Sequence, residues 1–321
     1  MKDILTLSLI ELENIIKDLG EPKYRAAQVF NFLHKQYVNN FQNMNLLPKS
    51  LRAKLEKDFF IPSPNLIKKQ VSKDKSEKYL FSYGDDYIET VLIDKTVCVS
   101  TQAGCKMGCY FCLSSKEGFK RNLTAGEILS QVYYMPSVSN IVIMGMGEPL
   151  DNYNNTLKFI ERVQFSLSAR SITLSTCGIV PKIYELADKQ LQINLAVSLH
   201  AASDDVRRVI MPIAQKYTIN EILKACKYYF RKTGRRISFE YTLIKGVNEN
   251  QAPLLAEKLK GFNCHVNIIP LNKGTDFLPA SKKDSEKFLK ILIDKNINAT
   301  IRHSKGSDIQ AACGQLVYTS D

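Results

Sequence analysis

The chain has 321 residues, 45% hydrophobic and 24% charged, with 15 Gly and 11 Pro. That balance excludes intrinsic disorder, collagen-like repeats and small disulfide scaffolds. Forty-four Lys and Arg against 32 Asp and Glu leave a net charge of +12, which favours a polyanionic partner.

In chain order, residues 1–60 predict a small helical unit. An apolar-periodic run reaches Gly20, Glu21-Pro22 opens a second helix over Lys23 to Gln36, and a third follows Leu47-Pro48. The acidic residues in the first run, and the lack of a small-residue cleavage site, argue against a secretory signal. No apolar run approaches the roughly 18 residues of a membrane span, so a soluble, cytoplasmic chain is expected. Residues 61–92 predict a linker built on a β-hairpin, two β runs about the turn Gly84-Asp85-Asp86.

From residue 93 to 321, short apolar strands alternate with helical stretches, which predicts βα units around a parallel sheet. Ligands gather at the carboxyl ends of such strands. GMGEP at 145–149, STCG at 175–178 and SLH at 198–200 all fall at predicted strand ends. Lys224, Lys227, Arg231, Lys232, Arg235 and Arg236 interleave with Tyr228, Tyr229 and Phe230. This is an amphipathic helix with aromatics in the core and a solvated basic face, or else a phosphate-neutralising, base-stacking surface.

Clustered cysteines in a cytosolic chain point to a metal or to catalysis rather than to a disulfide framework. Cys105, Cys109 and Cys112, spaced four and three positions apart, let one loop offer three thiolates to an iron–sulfur cluster. The fourth iron is then open to a substrate or cofactor. A structural zinc site would call for a closed set of four ligands, and none of His34, His200, His265 or His303 makes a suitable pair. Cys177, Cys226 and Cys264 read as core residues; Cys98 reads equally as a buried strand thiol, and Glu89 as a solvent-facing strand residue.

The three-cysteine loop, with Phe111 before its last cysteine, resembles the radical S-adenosylmethionine (SAM) superfamily. Cys98, Cys313 in GSDIQAACGQL, and the segments QAGC, GMGEP, SLH and IETV narrow this resemblance. Over nearly its whole length the chain is similar to the adenosine-C2 RNA methyltransferases of the RlmN family and their C8-methylating, Cfr-type relatives. The resemblance implies an α/β fold, a partial (β/α)6 barrel with an N-terminal helical RNA-binding accessory unit. It implies one [4Fe-4S] cluster on Cys105, Cys109 and Cys112, and two SAM consumed per methylation. Cys313 then carries the methyl group, Cys98 resolves the adduct through a transient disulfide, and Glu89 accepts a proton. Gly147, Glu148, Ser175, Ser198, Leu199, His200 and Asn272 match SAM contacts.

The implied partners are 23S rRNA at the peptidyl transferase centre, tRNA just 3′ of the anticodon, and a flavodoxin-like electron donor. The protein is expected to be a monomer and not to engage membranes. GMGEPL favours C2 over C8; an iron–sulfur RNA-binding protein without turnover, or an electron carrier, are the readings that leave Cys98 and Cys313 idle. Two departures from the family pattern are the continuation CLSSKEGF after the cluster loop and Cys177 beside Ser175. Neither touches an expected ligand.

Overall fold

The computed structural model describes residues 1–317. A two-residue strand β1 (Lys2–Asp3) precedes three helices, α1 (Leu9–Asp18), α2 (Tyr24–His34) and α3 (Lys49–Asp58). The chain returns as β2 (Phe59–Phe60), parallel to β1. Helix α1 starts in a capping box: Glu11 N–H donates to Ser8 Oγ at 3.2 Å, and Ser8 N–H to Glu11 Oε2 at 2.7 Å. Each bond satisfies an amide that the first helical turn leaves free. Helical spacing then buries Leu12 and Ile16 on α1, Ala26, Val29, Phe30 and Leu33 on α2, and Leu51 and Leu55 on α3.

Next come three antiparallel strands, β3 (Asn65–Val71), β4 (Glu77–Tyr83) and β5 (Asp86–Ile93). The hairpin expected about Gly84 is β4–β5; the sequence does not announce β3, whose residues are almost all exposed, its apolar Leu66, Ile67 and Val71 included, and carry no period of two. Strand β6 (Thr96–Cys98) pairs antiparallel with β5 and parallel with β9 (Asn140–Ile143). The hairpin segment is therefore continuous with the main sheet rather than a separate linker. Between β6 and β9 lie a short ribbon, β7 (Gln102–Gly104) with β8 (Phe119–Asn122), and helix α4 (Ala125–Tyr133).

Helices and parallel strands then alternate: α5 (Tyr153–Val163), β10 (Ile172–Thr176), α6 (Val180–Asp188), β11 (Asn194–Ser198), α7 (Asp204–Ile210) and α8 (Ile219–Thr233). After these come β12 (Ile237–Leu243), α9 (Ala252–Leu259), β13 (Cys264–Pro270), α10 (Lys282–Asp294) and β14 (Ala299–Ile301). The ten-stranded sheet runs β14-β13-β12-β11-β10-β9-β6-β5-β4-β3. It keeps two edges, so the barrel is partial, and β12, with six of seven residues buried, is covered on both faces like a central parallel strand, one face apolar and the other carrying Ser238, Glu240 and Thr242. No helix among the described residues is long and apolar enough to cross a membrane.

The N-terminal helices dock on α4 and α5. Phe30 meets Phe165 edge-on at 4.6 Å, Arg162 donates to Thr6 O at 3.3 Å, and His34 Nδ1 lies 2.9 Å from Tyr133 Oη. His34 is fully buried, and burial drives its imidazole down to about 3, from 6.5. Between those two values the unfolded chain binds a proton that the native chain does not, so stability falls as pH drops through that window. His34→Phe should therefore flatten the loss of melting temperature between pH 7 and pH 4; an acid slope identical to that of the parent would refute this.

Candidate active site at the barrel mouth

The carboxyl ends of the parallel strands meet at one mouth, and the three-cysteine loop enters it from the β7–β8 ribbon. The base of that loop is closed by Gly104, which sits at φ +73°; a Cβ there would stand 1.8 Å from Gly118 O. Only a residue without a side chain allows this approach. The rest of the loop is pinned by backbone bonds: Cys105 N–H to Gly118 O at 3.2 Å, Tyr110 N–H to Ile210 O at 3.1 Å, and Leu113 N–H to Gly314 O at 2.8 Å. Cys105 is buried, while Cys109 and Cys112 are half-buried, and all three are free thiols.

Three soft thiol donors on one loop suit three corners of an iron–sulfur cluster, with Cys177 near Cys109 and Cys313 near Cys112 at its margin. Among the described residues no three His, Cys, Asp or Glu side chains converge tightly enough to hold a single ion. Desolvation raises all three thiols, Cys105 to about 11. Electropositive iron is the kind of partner that would make thiolates of them.

Cys98, on β6, faces the same space. It is half-buried, and desolvation first, then the charge of Cys313, pushes its thiol up to about 12. Cys313 is exposed, but it stands in a recess dense with protein, where desolvation and then Glu240 raise its thiol. Its segment is tied down on every side. Asn272 Nδ2 donates to Cys313 O at 3.0 Å, Gln315 Nε2 to Lys273 O at 3.0 Å, and Ser114 Oγ to Leu316 O at 2.5 Å. The turn between β3 and β4 adds a polar latch: Ser72 Oγ and Lys73 N–H donate to Asp308, and Gly306 N–H donates to Asp74.

Glu89 is not solvent-facing; it is 4% exposed. Its Oε1 pairs with Lys78 Nζ at 2.8 Å, and its Oε2 accepts Val317 N–H at 2.8 Å. Burial raises its pKa and Lys78 opposes that shift. Lys78 had no place in the sequence reading, although a signal existed. The Gly84-Asp85 turn sets Leu80 opposite Glu89 and Lys78 opposite Val91, which puts Lys78 and Glu89 diagonally on one face.

The residues matched to SAM contacts lie at the ends of β9, β10, β11 and β13. Gly147 takes φ +99°, where a Cβ would be 2.6 Å from the Gln102 side chain. Glu148 is buried and accepts Leu150 N–H at 3.0 Å and Cys177 N–H at 2.7 Å; desolvation raises its pKa. His200 holds φ +54°, and its Nδ1 accepts Thr242 N–H at 2.9 Å. The ring proton is thereby assigned to Nε2, and burial, followed by the nearby Arg207 charge, drives the imidazole down to about 3. Phe111 packs edge-on against His200 at 4.9 Å, so the cysteine loop touches the end of β11. Ser175 and Ser198 are partly exposed and Leu199 is buried. Asn272 is spent on Cys313 O.

The basic helix is α8, and its aromatics are mostly structural. Tyr229 is buried and donates to Ile193 O at 3.0 Å, and Tyr228 donates to Asp188 at 2.7 Å. Lys224, Lys227 and Arg231 border a shallow cleft with Tyr184 and Phe262 on the flank of the barrel.

Two predictions come from this geometry. Removing one member of a buried ion pair strands the other, at about 3–5 kcal/mol. Glu89→Ala should lose that much in urea unfolding, and Lys78→Met with Glu89→Leu should recover most of it; equal losses would refute the pairing. Raised thiols react slowly until pH nears their pKa. In the metal-free protein, alkylation mapped by mass spectrometry should mark exposed Cys313 before Cys98, and Cys98 only as pH rises toward 12; rapid labelling of Cys98 at pH 7 would contradict this.

Comparisons with known proteins identify the family. Residues 99–259 match the model of the radical SAM superfamily, and residues 2–61 match that of the ribosomal RNA large subunit methyltransferase N-terminal domain. A Clostridium perfringens (strain 13) protein described as a probable dual-specificity RNA methyltransferase RlmN is 50% identical, over 98% of this chain and 96% of its own. One of the same description from Clostridium novyi is 48% identical, over 98% of each. The crystal structure of a radical SAM methyltransferase from Sphaerobacter thermophilus superposes with a TM-score of 0.94 at 41% identity, covering 98% of this chain and 99% of that one. A chain so similar from end to end, with three free thiols on one loop at the mouth of a partial barrel, belongs to the RlmN family of SAM-dependent radical SAM RNA methyltransferases.

Proposed function

We propose that the product is 2-methyladenosine, formed in 23S rRNA at the peptidyl transferase centre and in tRNA directly 3′ of the anticodon, with two SAM consumed per methyl group. The observation that carries this reading is that Cys98 on β6 lies within reach of the charge of Cys313, whose segment is bonded to the three-cysteine loop. An RNA-binding protein or an electron carrier has no use for two such thiols. Residues 105, 109 and 112 would hold one [4Fe-4S] cluster, with Gly147, Glu148, Ser175, Ser198, Leu199, His200 and Asn272 around SAM. Once bound, these groups supply the one-electron cleavage of SAM that yields a carbon radical.

The remaining steps fall to the chain. Adenine C2 is a poor nucleophile, so a thiolate is needed to take the methyl group first. Cys313, exposed at the mouth, loses its proton and displaces the methyl from the sulfonium of one SAM. After hydrogen abstraction from that S-methyl group, its carbon bonds to C2 and joins enzyme to RNA, and the adduct radical would give up its one unpaired electron to the oxidised centre that residues 105, 109 and 112 would hold. Cys98 thiolate then attacks the Cys313 sulfur: an S–S bond forms, the C–S bond breaks, and the electron pair stays with the RNA carbon, which takes up a proton to become the methyl group. Glu89 takes the C2 proton. Its two oxygens are bonded to Lys78 and to Val317 N–H, so the end of the C-terminal segment must lift for Glu89 to act. A low-potential one-electron donor of flavodoxin type reduces the cluster, and a second reducing step reopens the disulfide.

In this reading residues 1–60 and the basic surface hold folded RNA by its phosphates and shape, residues 61–92 join them to the core, and residues 93–321 carry the chemistry. The protein acts as a cytoplasmic monomer. Anaerobic reconstitution with SAM, reductant and unmodified rRNA fragment or tRNA, followed by nucleoside mass spectrometry, should yield 2-methyladenosine. Cys313→Ala should abolish it with the cluster retained, and Cys98→Ala should accumulate an enzyme–RNA crosslink. 8-Methyladenosine would overturn the carbon assignment, and normal product release from Cys98→Ala would overturn the disulfide step.

A further inference from the structure

Arg207, on α7, is fully buried, and no carboxylate among the described residues is bonded to it. Its Nε donates to Leu199 O at 3.0 Å, and its Nη2 to Cys177 O at 2.6 Å and Ser198 O at 3.2 Å. Its Nη1 is buried without a partner. Those three carbonyls end β10 and β11, the strands that deliver Ser175 and Ser198-Leu199-His200 to the mouth. Carbonyl dipoles solvate a guanidinium but leave its full charge uncompensated, and a buried charge without a counter-ion costs several kcal/mol.

Besides Cys109, both Cys177, whose thiol burial keeps protonated, and Asp204 lie close enough to act on Arg207, but neither is bonded to its guanidinium. Asp204 accepts Ile219 N–H at 2.7 Å. Glu148 accepts the amides of Leu150 and Cys177, so Cys177 lies between it and Arg207. The remaining anionic group within reach is the cysteine loop once it holds its metal. Tyr110 N–H bonds to Ile210 O, three residues along from Arg207, and a Cβ on Gly108 would touch Pro212 at 3.3 Å. Helix α7 and the turn after it thus pack directly on the loop. The charge of Arg207 acts on Cys109, in the middle of the three-thiol set.

We infer that Arg207 is the buried counter-charge of the iron–sulfur centre, a positioning residue whose uncompensated guanidinium favours entry of the electron into the cluster. The inference rests on Cys105, Cys109 and Cys112 holding that cluster. The step is the uptake of one electron from a low-potential one-electron donor, with no bond made or broken. Net charge and surrounding dipoles set the potential of such clusters. A fixed positive charge at low dielectric stabilises the reduced, more negative form over the oxidised one. The same side chain braces the ends of two strands, so electrostatic and structural effects need separate readouts.

The test uses the full chain, reconstituted anaerobically, with no SAM or RNA present. Iron and sulfide are counted per chain, and the midpoint potential is read by electron paramagnetic resonance titration. Arg207→Gln keeps donors for the carbonyls and removes the charge; Arg207→Lys keeps the charge. The Gln variant should shift the reduction equilibrium at least tenfold toward the oxidised form, about 59 mV for one electron. The Lys variant should restore most of that shift, whatever either change does to the melting temperature. An unchanged midpoint in a fully loaded Gln variant, or equal shifts in both variants, would make Arg207 a brace alone and overturn the inference. If Arg207→Gln does not fold, Arg207→Met supplies the neutral arm, and an unchanged midpoint in that loaded variant overturns the inference. A parent protein that binds no iron would instead sink the cluster assignment beneath it.

Discussion

Lys78 and Glu89, shut away from water on one face of the β4–β5 hairpin, hold together parts of the chain that would otherwise have little reason to meet. Lys78 reaches Gln310 O at 3.4 Å and Glu89 reaches Val317 N–H, so the ion pair anchors both flanks of the cysteine-bearing C-terminal segment. A buried pair of this kind is weak evidence for stability, because desolvation offsets most of the attraction. Its value lies in specificity of position. It fixes where residues 310–317 cross the mouth, and that crossing sets Cys313 against β6 on one side and the cluster loop on the other.

The same economy recurs around the mouth, where backbone groups do much of the holding. The cluster loop is bonded at Gly118, Ile210 and Gly314, and the ends of β10 and β11 are drawn together through carbonyls on a single guanidinium. His200 sits in a backbone region unusual for a side chain of its size, and Asn248 keeps it there by donating to both His200 O and Thr242 O at 2.7 Å. Strand ends fixed in this way can present a row of side chains to a ligand without relying on those side chains to shape the site.

How legible this was depends on what kind of bond carried each feature. The parallel strands and their helices were readable because their apolar runs alternate with amphipathic ones, and the cysteine loop because its chemistry is local. Strand β3 was silent, since an exposed edge strand such as Asn65–Val71 has no buried face to impose a pattern. Glu89 read as a surface residue because a carboxylate is usually exposed, and its partner, Lys78, becomes apparent only through the hairpin register. Arg207 leaves no signal in the sequence, since its partners are carbonyls, which no residue type announces. The latch from Ser72, Lys73 and Asp74 to Gly306 and Asp308 spans more than 230 positions and has no signature in either segment alone.

The cluster loop is closed at its base by near neighbours, Gly104 and Gly118, but fastened at its tip by late ones. Ser114 waits for Leu316, 202 positions further along the chain. During synthesis from the amino terminus, the three thiols leave the ribosome as a loosely tethered hairpin long before the residues that will fix them are made. The order of synthesis thus leaves the three thiols accessible until residues 314–316 arrive to fasten the tip of their loop.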